Sequence, residues 1–151
     1  MALNGGLDAI YTELIMENSR NPANRRELPQ SRGLCTERGH NPSCGDDITL
    51  QIDIESGRIK DMAFSGFGCA ISQASTNIMI DLLRGKTVGE AKTLCETFIN
   101  MIKRESVDED ALIELEDACA FKNISNMPAR VKCATLAWHT LSKALNEKYG
   151  L

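Results

Sequence analysis

The chain contains six cysteines, whose thiols could bind a metal ion or act as nucleophiles: Cys35, Cys44, Cys69, Cys95, Cys119 and Cys133. No two of them form a C-x-x-C pair, so the zinc-ribbon and thioredoxin-type motifs do not apply. Six in 151 residues is too few for a disulfide scaffold, and the N-terminus does not read as a signal peptide. We therefore expect reduced thiols, which in such proteins bind metals or act in catalysis. Any shared site must be assembled by the fold.

Three of these cysteines stand at junctions between predicted elements. Cys44 lies in the turn "NPSCGDD" before a strand, Cys69 follows "GFG" between a strand and a helix, and Cys133 falls in the second turn of the last helix. The free N–H groups and positive potential of a helix N-terminus favour a thiolate at Cys69. Three thiols together with Asp46 make a tetrahedral set of the ligand types that zinc prefers.

The carboxylates that follow Cys44 make it an unusual thiol. Negative charge on Asp46 and Asp47 raises the pKa of a neighbouring thiol, so Cys44 should be a poor nucleophile by itself. A bound cation reverses this effect, because a thiol that coordinates a metal is deprotonated. The pattern thus favours a metal site over an isolated reactive cysteine. His40, just before the turn, is an alternative ligand.

The remaining cysteines are expected to be structural. Cys95 lies on the apolar stripe of a helix, and Cys119 lies beside two alanines near the end of another. A thiol in such a position behaves as a small hydrophobic side chain. Cys35, in "GLCTERG", is ambiguous and is also assigned to the structure.

The elements that position these residues follow from hydrophobic periodicity. Residues 5–18 have helical spacing, and a polar loop with two prolines follows. Four isoleucine or leucine residues alternate with polar residues over 48–54, which predicts a strand with one buried face. Residues 59–65 form its partner strand, where imperfect alternation indicates a bulge or burial on both faces.

From residue 70 onward the pattern is helical. The predicted helix boundaries are a stop glycine, two capping boxes and an N-terminal proline: Gly85, Thr87–Glu90, Ser106–Glu109 and Pro128. Strands first and helices afterwards predict an α+β fold, a small antiparallel sheet of about three strands with helices packed on one face. The length suits a single domain over residues 1–151.

Charge and hydropathy narrow the classes of function. The formal net charge of −4 argues against general nucleic-acid binding, which favours a basic surface. No apolar run approaches the roughly 18 residues of a membrane span. Because no signal-peptide pattern is present, we expect a cytoplasmic protein with neither nucleic acid nor membrane as a partner.

Two segments, "NPSCGDDITLQIDIESGRIKDMAFSGFGCAISQAST" and "PARVKCATLAWHTL", resemble the SufU/IscU family of iron–sulfur cluster assembly proteins. The resemblance runs through most of the chain from "IYTELIMENSRNPANR". It implies a compact α+β fold with one zinc ion per chain and a pyridoxal-phosphate cysteine desulfurase, SufS-like, as partner. Position by position, it implies Cys44, Asp46, Cys69 and Cys133 as the metal ligands.

Two departures from the IscU pattern favour the SufU branch. Lys132 stands where IscU proteins have a ligating histidine, and the segment between Cys69 and Cys133 is long. In addition, "MPARVKC" lacks the Leu-Pro-Pro-Val-Lys motif by which IscU proteins engage a specialised chaperone. The resemblance therefore does not extend to that partner.

The charge of such a site calls for a nearby cation, because three thiolates and a carboxylate outweigh a Zn²⁺ ion. Arg130 lies three residues before Cys133 and shares its helical face. Lys132 points about 100° away from that face. We expect Arg130 beside the metal ligands.

Three functions are compatible with these ligands. The first is a zinc-dependent sulfurtransferase, in which Cys44, on a loop between Pro42 and Gly45, leaves the metal when another ligand takes its place and accepts persulfide sulfur. The second is a scaffold on which a transient [2Fe–2S] cluster forms and passes to downstream assembly machinery. The third is a closed structural zinc site in an interaction module. The first two use the same four ligands, and the sequence leaves both open.

Overall fold

A computed structural model describes the backbone of residues 2–150 and the side chains of residues 9–150. The elements in chain order are α1 (Ala2–Arg20), β1 (Leu34–Asn41), β2 (Asp46–Glu55), β3 (Arg58–Phe67), α2 (Ala70–Leu83), α3 (Val88–Ile102), α4 (Glu109–Ile113), a 3₁₀ segment (Glu116–Asn126) and α5 (Pro128–Tyr149). The predicted α+β fold is confirmed. Within the described residues, no helix has the length and apolar character needed to cross a bilayer.

The three strands form one antiparallel sheet in the order β1-β2-β3. The alternation predicted for β2 is present, since Ile48, Leu50 and Ile52 are fully buried against the helices. The predicted irregularity of its partner is present too. The ladder shifts register between residues 53 and 54, and three consecutive residues of β3, 62–64, are all buried.

Strand β1 is the element that the sequence pattern does not locate. Its sequence, LCTERGHN, has no alternation of apolar residues, and only Gly39 and Asn41 are buried. Helix α5 crosses this strand so closely that a Cβ atom at Gly39 would lie 2.1 Å from Thr140 Oγ1. A glycine in a strand permits such an approach. This contact packs the middle of α5 against the second half of β1.

The helices cover one face of the sheet and share an aromatic centre. Phe98 of α3 stacks on Trp138 of α5 with ring centroids 3.9 Å apart and planes 8° from parallel. Phe121 of the 3₁₀ segment meets Phe98 edge to face at 6.0 Å. All three rings are buried, so this cluster fixes how α3 and α5 pack.

Most predicted helix boundaries are confirmed. Thr87 and Glu90 form a reciprocal capping box, Pro128 occupies the first turn of α5, and Gly85 follows the end of α2 with a φ of +89°. The predicted box of Ser106 with Glu109 is wrong. Helix α4 begins only after residue 108, so Glu109 is its first residue. A capping box needs the glutamate at the third helical position, from which its side chain accepts a hydrogen bond from the N-cap amide.

Candidate metal site

The turn between β1 and β2 presents Cys44 to solvent. Asn41 pairs with Asp46 across the two strands, which leaves residues 42–45 as a four-residue hairpin loop. The Cys44 amide donates to the Asn41 carbonyl at 3.3 Å. Gly45 closes the loop in the left-handed region, at a φ of +71°, which glycine adopts without strain. Cys44 is exposed.

Asp46, the first residue of β2, has no exposed surface. Its Oδ1 accepts a hydrogen bond from the Cys69 amide at 2.9 Å. Its Oδ2 is buried and has no hydrogen-bond partner among the described residues. Burying a carboxylate without full pairing is costly. A buried carboxylate oxygen that lacks a hydrogen-bond partner is available to bind a metal ion, so Asp46 Oδ2 is a candidate ligand atom.

Cys69 caps the N-terminus of α2. Its Sγ accepts from the Ser72 amide at 3.4 Å, as the side chain of an N-cap residue does. Glycines before it let the chain pass close to its neighbours: a Cβ atom at Gly68 would lie 3.0 Å from Asp46 Oδ1. Cys69 is half-buried and is joined to β2 through its own amide.

An arginine from the loop after α1 holds the segment that leads to Cys69. Arg25 donates to the Gly66 carbonyl and to Gln73 Oε1, both at 2.8 Å. Gln73 in turn donates to the Gly68 carbonyl at 2.8 Å. The Arg25 guanidinium also lies 4.8 Å from the centroid of the Phe64 ring, a favourable cation–π geometry. The position of Cys69 is thus fixed from both sides of the strand-to-helix junction.

Cys133 lies in α5 and is 1% exposed. Its Sγ lies 2.9 Å from Cys44 Sγ, 3.8 Å from the Ala129 carbonyl and 4.0 Å from Asn41 Nδ2. Burial raises the pKa of the Cys133 thiol, and contacts with Cys44, Cys69 and Asp46 raise this pKa further. Without a cation these groups keep a proton at Cys133, whereas a bound dication would favour the thiolate.

The fold thus gathers the predicted ligands from three separate parts of the chain. Ligand atoms of Cys44, Asp46 and Cys133 lie within 4.8 Å of one another. Cys69 is hydrogen-bonded to Asp46 through its backbone amide. Its sulfur, however, is not within 4.8 Å of the ligand atoms of all three residues. Thiols and a carboxylate are ligands that suit zinc. The residues present fit a zinc ion.

Other candidates lie outside this cluster. Arg130, Lys132 and His40 are exposed, and among the described residues no hydrogen bond or ion pair joins their side chains to the predicted ligands. Arg130 follows Ala129, whose carbonyl lies 3.7 Å from Cys44 Sγ. The expectation for Arg130 therefore stays a prediction.

The remaining cysteines pack in the structure as small apolar side chains. Cys95 is fully buried, and burial raises the pKa of its thiol to about 12. Cys35 and Cys119 are partly buried, and burial raises the pKa of both thiols. Cys119 donates to the Leu112 carbonyl at 3.0 Å.

Several residues around the site escaped the sequence analysis: Arg25, Asn41, Ser72 and Gln73. Each acts through a contact with a residue distant in the chain or through a backbone atom. Hydrophobic periodicity carries no signal for such contacts. Only the position of Ser72 and Gln73 within "GFGCAISQAS" could have drawn attention to them.

Comparison with known proteins shows the family of the chain. The family model of the NifU-like N-terminal domain matches residues 10–102. The chain is 35% identical to the zinc-dependent sulfurtransferase SufU of Bacillus subtilis, over 99% of both chains. This chain belongs to the SufU/IscU family. The family resemblance predicted from its motifs is confirmed.

Other similar proteins are named as scaffold proteins of iron–sulfur cluster assembly. The chain is 39% identical to the iron–sulfur cluster assembly scaffold protein IscU of Thermotoga maritima, over 91% of this chain and 94% of the relative. The crystal structure of a SufU from Fervidobacterium islandicum, named as a scaffold protein for the SUF system, has a TM-score of 0.82 at 39% identity and covers 91% of this chain and 97% of the other. A NifU-like protein of Brucella abortus, at 21% identity and a TM-score of 0.79 over 94% and 97% of the two chains, shares the fold.

Proposed function

We propose that this protein acts in iron–sulfur cluster assembly as a zinc-dependent sulfur acceptor, with Cys44 receiving sulfur from a cysteine desulfurase. Membership in the SufU/IscU family supports the role in cluster assembly. Cys44, Asp46, Cys69 and Cys133 are the proposed zinc ligands, one ion per chain. Bound zinc would keep these thiols ionised at neutral pH and protect them from oxidation.

The exposure of Cys44 is the observation that carries this proposal. Asp46 and Cys133 are buried, and Cys69 is anchored at the first turn of a helix. Cys44 alone among the four lies in an exposed hairpin loop, next to Gly45, where an added Cβ atom would have no neighbour within 4 Å. A large partner can therefore reach the Cys44 sulfur without unfolding a helix or a strand.

The transfer itself is an exchange between sulfur atoms. The Cys44 thiolate attacks the terminal sulfur of a cysteine persulfide on the desulfurase. A new S–S bond forms at Cys44 while the S–S bond of the desulfurase breaks, and the desulfurase cysteine leaves as a thiolate. The products are a Cys44 persulfide and a reduced desulfurase, so the step needs no oxidant or reductant.

The experiment is one turnover of a purified pyridoxal-phosphate cysteine desulfurase with this protein, followed by alkylation and peptide mapping of the persulfide. We expect label on Cys44 in the unaltered protein. Cys44→Ala should lose the label and the stimulation of cysteine turnover, whereas Cys95→Ala, the matched control in the core, should keep both. Label found chiefly on Cys69 or Cys133 would contradict the proposal.

A scaffold for a transient [2Fe–2S] cluster is the second candidate, because thiolates also bind such clusters and a relative with 39% identity is named a scaffold. The same reaction with added ferrous iron under anaerobic conditions separates the two functions. Equal labelling of three cysteines together with the visible absorbance of a cluster would favour the scaffold.

We also propose that Arg130 supplies positive charge to the site from its exposed position next to Ala129. Its side chain can reach a partner or the ligand cluster from the surface, whereas Lys132 lies on a different side of α5. In the same turnover assay, Arg130→Ala should slow sulfur transfer more than the control Lys132→Ala. Equal rates for the two variants would remove Arg130 from the site.

A further inference from the structure

Ser72 shares an unusual property with Asp46. Among the described side chains, only two buried oxygen or nitrogen atoms lack a hydrogen-bond partner, Asp46 Oδ2 and Ser72 Oγ. Ser72 is 1% exposed. Buried polar groups in folded proteins are nearly always paired, so each exception calls for an explanation. For Asp46 the explanation is the proposed metal, and Ser72 needs one of its own.

The Ser72 hydroxyl and the Asp46 carboxylate border the same point in the structure. A Cβ atom at Gly68 would lie 3.0 Å from Ser72 Oγ and 3.0 Å from Asp46 Oδ1. Cys69 connects them further, since its amide donates to Asp46 at 2.9 Å and its Sγ accepts from the Ser72 amide at 3.4 Å. The Ser72 hydroxyl therefore lies near two of the proposed metal ligands, without a hydrogen bond to either.

The charge of the site explains why a hydroxyl would be useful there. Three thiolates and a carboxylate outweigh a dication, yet within the described residues no lysine or arginine forms a hydrogen bond or ion pair with the four ligands. The described groups directed at the ligands are neutral donors: the amides of Cys69 and Ser72 and the more distant side-chain amide of Asn41. A hydrogen bond donated to an ionised ligand stabilises its charged form.

We propose that Ser72 is a positioning residue of the metal site, whose hydroxyl would donate a hydrogen bond to the anionic pair formed by Cys69 and Asp46 when these ligands hold a metal ion. The proposal rests on the proposed function, because it requires a metal ion held by these ligands. When the ligands carry a metal, the hydroxyl orients them and balances their charge, as groups behind metal ligands do. When the metal is absent, the same buried hydroxyl destabilises the fold.

The test is Ser72→Ala, which removes one oxygen atom. Zinc is removed from the purified full-length protein and returned in competition with a chelator of known affinity. We expect the affinity for zinc to fall about tenfold or more. We expect the melting temperature of the zinc-free variant to be unchanged or higher, because an unpaired buried hydroxyl has been removed.

Ser75→Ala is the matched control, one helical turn further along α2. Ser75 has no exposed surface, but its hydroxyl is paired: it donates to the Ala134 carbonyl at 2.5 Å and accepts from Trp138 Nε1 at 2.9 Å. This variant should show the opposite pattern. Its melting temperature should fall with and without zinc, and its affinity for zinc should stay the same.

Replacement of zinc by Co²⁺ gives a second measurement that does not depend on activity. The sulfur-to-cobalt absorption bands should shift in Ser72→Ala and stay unchanged in Ser75→Ala. A Ser72→Ala protein with unaltered zinc affinity and unaltered bands would overturn the inference about Ser72 and leave the proposed function intact. An equal loss of stability with and without zinc would have the same consequence. An unaltered protein that binds no zinc would overturn the proposed function and this inference together.

Discussion

Two carboxylates of the sheet, Asp46 in β2 and Asp61 in β3, have different surroundings. Asp61 is partly exposed and accepts hydrogen bonds from Arg26 at 2.9 and 3.1 Å and from Arg84 at 3.0 Å. Hydrogen bonds from Arg26, and to a smaller extent from the Met62 amide and Arg84, together lower the pKa of Asp61 to about 2, although partial burial opposes them. Asp46 is fully buried, and its described partner is a single backbone amide.

The two carboxylates differ in how their negative charge is balanced. The chain itself supplies the cations for Asp61, so this carboxylate stabilises the packing of the loop after α1 against β3 and α2. No lysine or arginine within the described residues pairs with Asp46, although burial makes the need greater. Under the proposed function, a bound metal ion would supply the positive charge that Asp46 lacks, whereas Asp61 needs none.

The largest expected effect is that of Asp46→Asn, which keeps the shape of the side chain and removes its charge. Zinc affinity should fall by more than the roughly 10–100-fold that is typical for a residue behind a ligand. The zinc-free protein should keep or gain stability, because a buried and incompletely paired carboxylate is lost. Chelator competition and thermal unfolding measure the two quantities. Full zinc retention would remove Asp46 from the site and favour His40.

Asp61→Asn should give the opposite result, with full zinc binding and lower stability. Because the side chains of Asp61 and its two arginines are 32–42% exposed, solvent screening limits the loss in free energy of unfolding to about 1–2 kcal/mol at pH 7. The pKa of Asp61 is lower in the folded protein than in the unfolded chain. Its stabilisation is therefore complete above about pH 4 and disappears as the pH falls towards about 2.

Urea denaturation of the unaltered protein and of Asp61→Asn at several pH values tests whether the stabilisation by Asp61 is lost as the pH falls. The two unfolding free energies should converge as the pH approaches 2. A difference that stays constant down to this pH would show that Asp61 acts through packing and not through its charge.

The smallest effects are expected for cysteines remote from both carboxylates. Cys95→Ala should lower the free energy of unfolding by about 1 kcal/mol, because it leaves a small cavity in the core. Cys119→Ala should cost less, since that thiol is only partly buried. Neither should change zinc content or sulfur acceptance, measured by metal analysis and by persulfide mapping. Loss of zinc or of desulfurase stimulation at unchanged stability would contradict the structural role.

The sequence predicted the parts of the fold that have a local cause. Alternation located β2, helical periodicity located α2, α3 and α5, and Thr87 with Glu90 marked a helix start because both halves of the capping box are local. Strand β1 has no such local signal, because its burial comes from α5 crossing at Gly39, a contact between residues about a hundred positions apart. Helix α4 was misplaced because a favourable capping pair does not fix a helix start when few buried residues follow.

For the candidate site, the motifs C-G-D and G-x-G-C-A-I-S-x-A-S and the cysteine of the last helix are enough to predict the ligand types and to recognise the family. The sequence could not determine which ligand is accessible or how their charges are balanced. Only the folded chain shows that Cys44 is exposed while Asp46 and Cys133 are buried, and that the unpaired Ser72 hydroxyl lies near Asp46 and Cys69. The physical reason is that burial and hydrogen bonding arise between elements distant in the chain, whereas a motif records only neighbours along it.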